Sequence, residues 1–448
     1  MRYSLRTLLI VVTLVCIGCG WWARNAALER QFNEAMDYLS AQGIRVHFEE
    51  VRFRSRFLPI RELQLDLRKA RWDEQTPDCL SLLRSVDLLS LGLMELTDEQ
   101  RNVLLSLPGL KAIEIYSGRL SAEDVEAIVS RAPELRSLST YGPEVDLDSL
   151  PQIMRIRQLT NLHLVDVFDR ESLPDVIEYP TNSTVRFLEI GDYTSVRIQE
   201  MPCVEEINVL CGNWRNDKWG SLALATCPKL KTLRIKISGK RPRSDSLLEI
   251  ADQPALVEFS LVDGGLSPVG VHKLSKMPSL RSLLLVSPIM SDETVLAFEH
   301  LDQIERLRIE WPMVYGPAMS QAEMEKASAE QPDEGDEIEA ETDLEPAEGT
   351  RWAILKKCAR LRSLDLSVSL NSPEELQWLC EMKGLKTLDL SPMVAGWKDS
   401  LTFALSDIHE LEKLAFLEEL IVEEVDMSEE QIRSILPKTK VRTPTNDD

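Results

Sequence analysis

The sequence predicts an α/β solenoid, a long array of strand–turn–helix repeats with parallel strands on its concave face and helices on its convex face. Three observations predict it. A short phrase recurs: "LKTLRI" at Leu230–Ile235 and "LKTLDL" at Leu385–Leu390, with looser copies "LKAIEI" at 110, "LRSLLL" at 280, "LRSLDL" at 361 and "LEELIV" at 417. The copies follow one another mostly at 24 to 26 residues. Eleven residues after the first aliphatic of many copies stands a helix N-cap candidate. Self-similarity at such a period points to a repeat array rather than a string of independent domains.

Taken in chain order, residues 1–24 form a separate element. Arg2 and Arg6 precede an apolar run from Leu8 to Trp22, and Arg24 closes it. Fifteen apolar residues are fewer than the ~20 that span hydrocarbon, but Leu5 and the stem of Arg6 extend the run. Trp21 and Trp22 suit a membrane interface. Three fates stay open: a retained transmembrane signal anchor, cleavage near Gly20, or lipid attachment at Cys19. The retained anchor is the reading adopted, because no small-x-small cleavage signal stands at its end and Cys16 replaces the usual lipobox leucine. The amino terminus with its two arginines would stay cytoplasmic, and the body would lie in the periplasm or outside. Residues 25–58 then read as a linker helix and N-terminal cap.

The repeats occupy 59–314 and 351–437. Fourteen copies of the template begin at Ile60, Val86, Leu110, Leu135, Leu159, Val185, Val204, Leu230, Leu256, Leu280, Ile304, Leu361, Leu385 and Leu417. Positions 1, 4 and 6 are aliphatic and point inward, alternating as a half-buried strand does. The N-cap candidates are Thr97, Ser121, Asp146, Ser267, Ser291, Ser372 and Ser428. Thr97–Gln100, Ser372–Glu375 and Ser428–Gln431 have capping-box spacing, and Pro268 and Pro373 stand where a first helical turn needs no N–H. Two steps break the period. One, of 57 residues, contains an acidic insertion at 315–350; the other, from Val185 to Val204, is only 19 residues long. Residues 438–448 read as a polar tail.

This strand-and-helix pattern resembles leucine-rich-repeat proteins of the longer, helix-containing type. The whole chain, with its Arg-flanked hydrophobic start and the stretch "NEAMDYLSAQGIRVHFEEVRF" at Asn33–Phe53, looks like the membrane-anchored leucine-rich-repeat proteins of certain bacteria. The resemblance implies a non-catalytic, partner-binding solenoid. One departure is plain. The asparagine or cysteine usual at position 9 is replaced by Gly118, Gly212, Gly264, Pro288 and Ser369, so the turns must be satisfied in another way.

Composition and motifs exclude much chemistry. A net charge of −23 disfavours nucleic acid as a partner, since binding it needs an excess of bases to release counterions. Between Glu323 and Glu348 lie twelve carboxylates and one lysine. That tract reads as a solvated insertion, with no DxDxDG loop to hold calcium. "HELEK" at 409 lacks the second histidine of HExxH, and no GxSxG or P-loop spacing occurs. None of the six body cysteines forms a CxxC pair. No catalytic residue, cofactor or metal is therefore assigned.

Binding information lies at positions 3, 5 and 7, which flank the inward residues. In the Leu230 copy these are Thr232, Arg234 and Lys236; then Glu258, Ser260 and Val262; Ser282, Leu284 and Val286; Arg306, Arg308 and Glu310. The candidate partner-binding set is Thr232, Arg234, Lys236, Ser260, Leu284, Val286, Arg306 and Arg308, arginines at the margins of an aliphatic centre. Two readings compete: a solvated face that balances nearby acids, and a surface for an acidic or mixed protein or peptide. The acidic tract could itself fold back on this patch as a mask.

Overall fold

A computed structural model of the 448-residue chain describes residues 23, 24, 27, 30–50, 61–67, 71–83, 86–91, 97–116, 119–142, 144–145, 147–165, 176–192, 195–212, 222–238, 249–310, 313–315, 349–367, 378–389, 412–421 and 429–442. The predicted anchor at 1–22 and the acidic tract lie outside them. Among the described residues no helix is long and apolar enough to cross a membrane. The chain divides into two compact units, Met1–Asp169 and Arg170–Asp448.

In the first unit, residues 30–41 form helix α1. Six ladder strands follow: β1 (Arg45–Glu50), β2 (Arg61–Asp66), β3 (Leu88–Leu91), β4 (Ala112–Ile115), β5 (Ser137–Tyr141) and β6 (Asn161–Val165). β1 pairs antiparallel with β2, and every later pairing is parallel. β1 therefore terminates the array, as the predicted cap should. α1 is fastened to the first repeat through Tyr38 Oη and Gln42 Nε2, both donating to Asp73 Oδ2, the latter over 2.8 Å.

The register corrects the first copy. Leu65 pairs with Leu89, so Leu65 and Leu67 hold positions 4 and 6 and Glu62, not Ile60, holds position 1. The step to Val86 becomes 24 residues. The eleven-residue rule then lands on Asp73. Its Oδ1 accepts from Gln75 N and Thr76 N at 3.1 Å, immediately ahead of helix α2 (Thr76–Ser81). A lucky aliphatic at Ile60 had hidden this register.

The helices α3 (Asp98–Leu105) and α4 (Ala122–Arg131) start on caps found in the sequence. Thr97 and Gln100 form a full capping box, and so do Ser121 and Asp124. Each box satisfies N–H groups that the first helical turn leaves without partners.

The second unit carries ten ladder strands among its described residues: β7 (Phe187–Asp192), β8 (Glu206–Gly212), β9 (Thr232–Ser238), β10 (Glu258–Val262), β11 (Ser282–Val286), β12 (Arg306–Glu310), β13 (Ser363–Ser367), β14 (Thr387–Asp389), β15 (Glu419–Ile421) and β16 (Lys440–Arg442). All pairings are parallel, and position 4 meets position 4: Ile207, Leu233, Phe259, Leu283, Leu307, Leu364, Leu388 and Leu420 stand in one row. All are buried. Arg306 pairs directly with Ser363, so the long step between them leaves the ladder unbroken. The row ends on Val441, opposite Leu420, one strand beyond the predicted last repeat. The template missed this repeat because Lys438 stands at its first position.

The helical layer departs from expectation early in this unit. Val176–Tyr179, Ser195–Ile198 and Leu222–Leu224 form a second parallel sheet where helices were predicted. A 19-residue repeat has no room for a helix, and Ile177, Tyr179, Val196, Ile198, Leu222 and Leu224 are buried at strand spacing. Helices return with α5 (Pro268–Ser275), capped by Ser267, and α6 (Asp292–Ala297), where Ser291 and Thr294 make a capping box. Asp146, Ser372 and Ser428, the remaining cap candidates, lie outside the described residues.

The missing asparagine ladder is replaced by backbone. Gly142, Asp263 and Ser287, at position 8, take positive φ of 75°, 56° and 46°. Their N–H groups donate to the position-7 carbonyls of the next repeat, at Val165, Val286 and Glu310, over 2.7 to 3.0 Å. A Cβ on the adjoining Gly264 would stand 2.4 Å from Leu261 Cδ1, so that turn needs a glycine. Buried amides do the same work elsewhere. Gln253 donates to Ala225 O and Ala251 O and accepts from Cys227 N.

Candidate functional site

Parallel pairing in register turns each outward position into a row of side chains running across the strands. In the second unit, row 5 reads Asn208, Arg234, Ser260, Leu284, Arg308, Asp365 and Asp389. Row 3 contains Glu206, Thr232, Glu258, Ser282, Arg306 and Ser363, and row 7 contains Lys236, Val262, Val286 and Glu310. The eight residues predicted from the sequence thus fall together on β9–β12. Ser260 is buried at 2% exposure, its short side chain lying between Arg234 and Leu284 in the row, so it cannot offer a broad contact.

The arginines have acidic neighbours on adjacent strands. Arg234 places Nη1 2.5 Å from Glu206 Oε1 and Nη2 3.2 Å from Glu258 Oε1. Arg308 Nε contacts Glu310 Oε1 and lies 2.9 Å from Asp365 Oδ2. A strand period of two at one fixed register places these pairs, and each guanidinium spans strands. The expected basic margins are therefore neutralised within the face, leaving Val262, Leu284 and Val286 half-buried between them.

Asp365 is the perturbed group. Burial, with Asp389 and Glu310 beside it, raises its pKa to about 7, against the lowering effect of Arg308. The salt bridge and the raised pKa pull in opposite directions. Loss of water and two like charges outweigh one shared guanidinium. Despite this local crowding, no group of three metal-binding side chains occurs among the described residues.

The first unit shows a face that the sequence reading passed over. Row 5 there is Asp66, Ser90, Glu114, Ser139 and His163. Tyr116 and Tyr141 follow at position 7 of β4 and β5, their rings stacked with centroids 5.3 Å apart and planes at 23°. Glu114 Oε2 accepts from Ser90 Oγ at 2.9 Å and from Tyr116 Oη at 3.0 Å. A signal was present: "LKAIEIY" and "LRSLSTY" both put tyrosine at position 7.

The cysteines carry no reactive signature. Cys227, Cys358 and Cys380 are buried, and the described cysteines are free thiols. Burial pushes the Cys358 thiol up to about 11, away from the thiolate.

No known family pattern matches the chain, and no curated protein does. Among solved structures, an internalin (inlF) from Listeria monocytogenes is 13% identical over 73% of this chain and 89% of its own, with a TM-score of 0.35. A TLR13–ssRNA13 complex is 15% identical over 84% of this chain, with a TM-score of 0.47. The chain spans 53% of that structure's length. Both are leucine-rich-repeat proteins.

Proposed function

We propose that this chain is a non-catalytic leucine-rich-repeat protein of a bacterial envelope, anchored by residues 1–24, that binds a protein partner through its outward strand rows. One observation carries the reading: unlike side chains at positions 3, 5 and 7 are held in register across successive strands, giving a wide mosaic on a rigid support. Such a mosaic can match a partner without any catalytic group. The half-buried Val262, Leu284 and Val286 supply an apolar centre, and the Arg–carboxylate pairs supply a polar rim. Nucleic acid is disfavoured as the partner. The net charge of −23 and the paired arginines leave few bases to release counterions from phosphate.

A photo-crosslinking residue at Leu284, compared with one at Leu296, tests the binding surface in native membranes. Leu296 is exposed on α6, so it samples the helical layer. Partner adducts are expected from position 284 and not from 296. Equal adducts from both, or none from 284, would remove the strand rows as the binding surface. Retention of the full chain in membranes after a carbonate wash, with release of a chain beginning at Ala26, tests the anchor.

The second reading is a passive spacer in the envelope. The internal pairing of Arg234 and Arg308 favours it, because a face that satisfies its own charges has less need of a partner. Absence of adducts from outward positions in both units would leave this reading standing.

A further inference from the structure

We infer that the first unit holds a recognition site for an arginine side chain presented by the protein partner, formed by Glu114 and the stacked Tyr116 and Tyr141. The inference rests on the protein-binding reading above and gives it a chemistry. Both donors to Glu114, Ser90 Oγ and Tyr116 Oη, reach the same oxygen, Oε2. Among the described residues no donor reaches Oε1, and no lysine or arginine pairs with this carboxylate. The two bonds orient the carboxylate before any partner arrives, and one acceptor oxygen stays open.

The surroundings favour a cation. The outward residues of β3–β6 are Leu88, Ser90, Ala112, Glu114, Tyr116, Ser137, Ser139, Tyr141, Asn161, His163 and Val165, with neither lysine nor arginine among them. Lys111, one residue ahead of β4, is engaged 2.5 Å from Asp87. Arg136, one residue ahead of β5, lies outside these rows. Aromatic faces attract cations through the ring quadrupole, and Tyr116 is exposed while Tyr141 is half-buried. A guanidinium can lie against a tyrosine ring while donating to a carboxylate in its own plane. A lysine ammonium offers no such flat surface, which is why arginine is the residue assigned. The equivalent row of the second unit already supplies its own arginines to its own acids; the first unit supplies only the acid.

The test pans a phage-displayed library of random heptapeptides against the immobilised full chain and measures each enriched peptide on variants. Enriched peptides are expected to contain arginine. They should weaken about tenfold on Glu114→Gln, the equivalent of one lost charge-assisted bond. Replacing the peptide arginine with norleucine should weaken them as much, and Tyr141→Leu should weaken them to a lesser degree. Glu114→Gln keeps the side-chain shape and can still accept from Ser90 and Tyr116, so its melting temperature should match the parent chain. Peptides without a basic residue, arginine peptides unaffected by Glu114→Gln, or an empty selection would overturn the inference. Peptides lost instead on Leu284→Asp would overturn the Glu114 assignment while leaving the protein-binding reading intact. Peptides indifferent to every outward substitution in both units would remove both.

Discussion

Glu114 in the first unit and Asp365 in the second occupy position 5 of parallel strands, the same place in the same repeat, and meet different surroundings. Glu114 is half-buried and bonded by two hydroxyls. Asp365 is crowded by Asp389 and Glu310 and shares Arg308. The backbone rule is identical in both units; what differs is the residue that the neighbouring strand puts in the row. A repeat fold thus separates two kinds of information. Positions 1, 4 and 6 fix the array, and positions 3, 5 and 7 are left to determine what each region can bind.

The largest expected effect tests whether the two regions share a core in spite of their different faces. Leu138 in the first unit and Leu283 in the second are both buried position-4 residues. Truncation of either to alanine should destabilise its unit by about 2–5 kcal/mol through lost contact and a residual cavity. Chemical denaturation measures it. A loss below half a kcal/mol at one site only would show that the two arrays are packed by different rules.

The next effect sharpens the contrast at position 5. Burial raises the Asp365 pKa to about 7, well above the ordinary value near 3.8. The folded state therefore holds the proton that the unfolded chain has already released, and stability falls as pH rises from about 4 to 7. Above pH 7 the loss is complete. Asp365→Asn removes the titration, so the variant should gain over the parent across that window, by up to roughly 4 kcal/mol above pH 7 and almost nothing near pH 3. Thermal melts of both chains at pH 4 and pH 8 decide it. A pH-independent difference would mean that Arg308 governs Asp365 after all.

Much of this was legible in the sequence, and the failures have physical causes. The recurring aliphatics give away the ladder because each inward residue packs on its counterpart in the next repeat, so the period is imposed by contact. The caps are legible because Ser, Thr and Asp side chains meet N–H groups at one fixed distance along the chain. Lys438 hid the last repeat, since a strand with a single inward residue, Val441, shows no pattern of its own. Ile60 misplaced the first, because one aliphatic resembles another until a register is available. The eight candidate residues were correctly grouped on β9–β12, but their charges were read one repeat at a time. Glu206 and Asp365, which engage Arg234 and Arg308, come from the strands on either side of that block. Pairing across repeats is a property of rows, and a single repeat does not display it.

A smaller effect separates the two arginines. Arg234 is nearly half exposed, with both acidic partners accessible to water. Arg234→Met should change stability by no more than about 1 kcal/mol, and by less in high salt. Arg308 faces Glu310, at 6% exposure, and Asp365. Removal of Arg308 strands buried acids, so Arg308→Met should be the more damaging of the two and should recover at low pH as they take up protons. Equal, salt-sensitive losses in both variants would place the two pairs in one class.

The smallest effect concerns the acidic tract, which stands beside neither unit's core in the ladder. β12 and β13 pair residue for residue across it, Arg306 with Ser363 and Glu310 with Ser367, as if the intervening chain were a routine connection. Trp352, stacked on Phe298 at 6.2 Å, closes the repeat before β13, so the deletion must end ahead of Gly349. Excision of residues 320–345 shortens a loop whose closure entropy grows only with the logarithm of its length. The gain should be about 1 kcal/mol or less, a barely measurable rise in melting temperature. Binding of an acidic partner should also change little, because Arg234 and Arg308 already have carboxylates on adjacent strands and a distant tract has no open arginine there to mask. A gain in such binding at low salt, abolished by charge reversal at Arg234 and Arg308, would instead show the tract competing with Glu206, Glu258 and Asp365 for the same guanidinium groups.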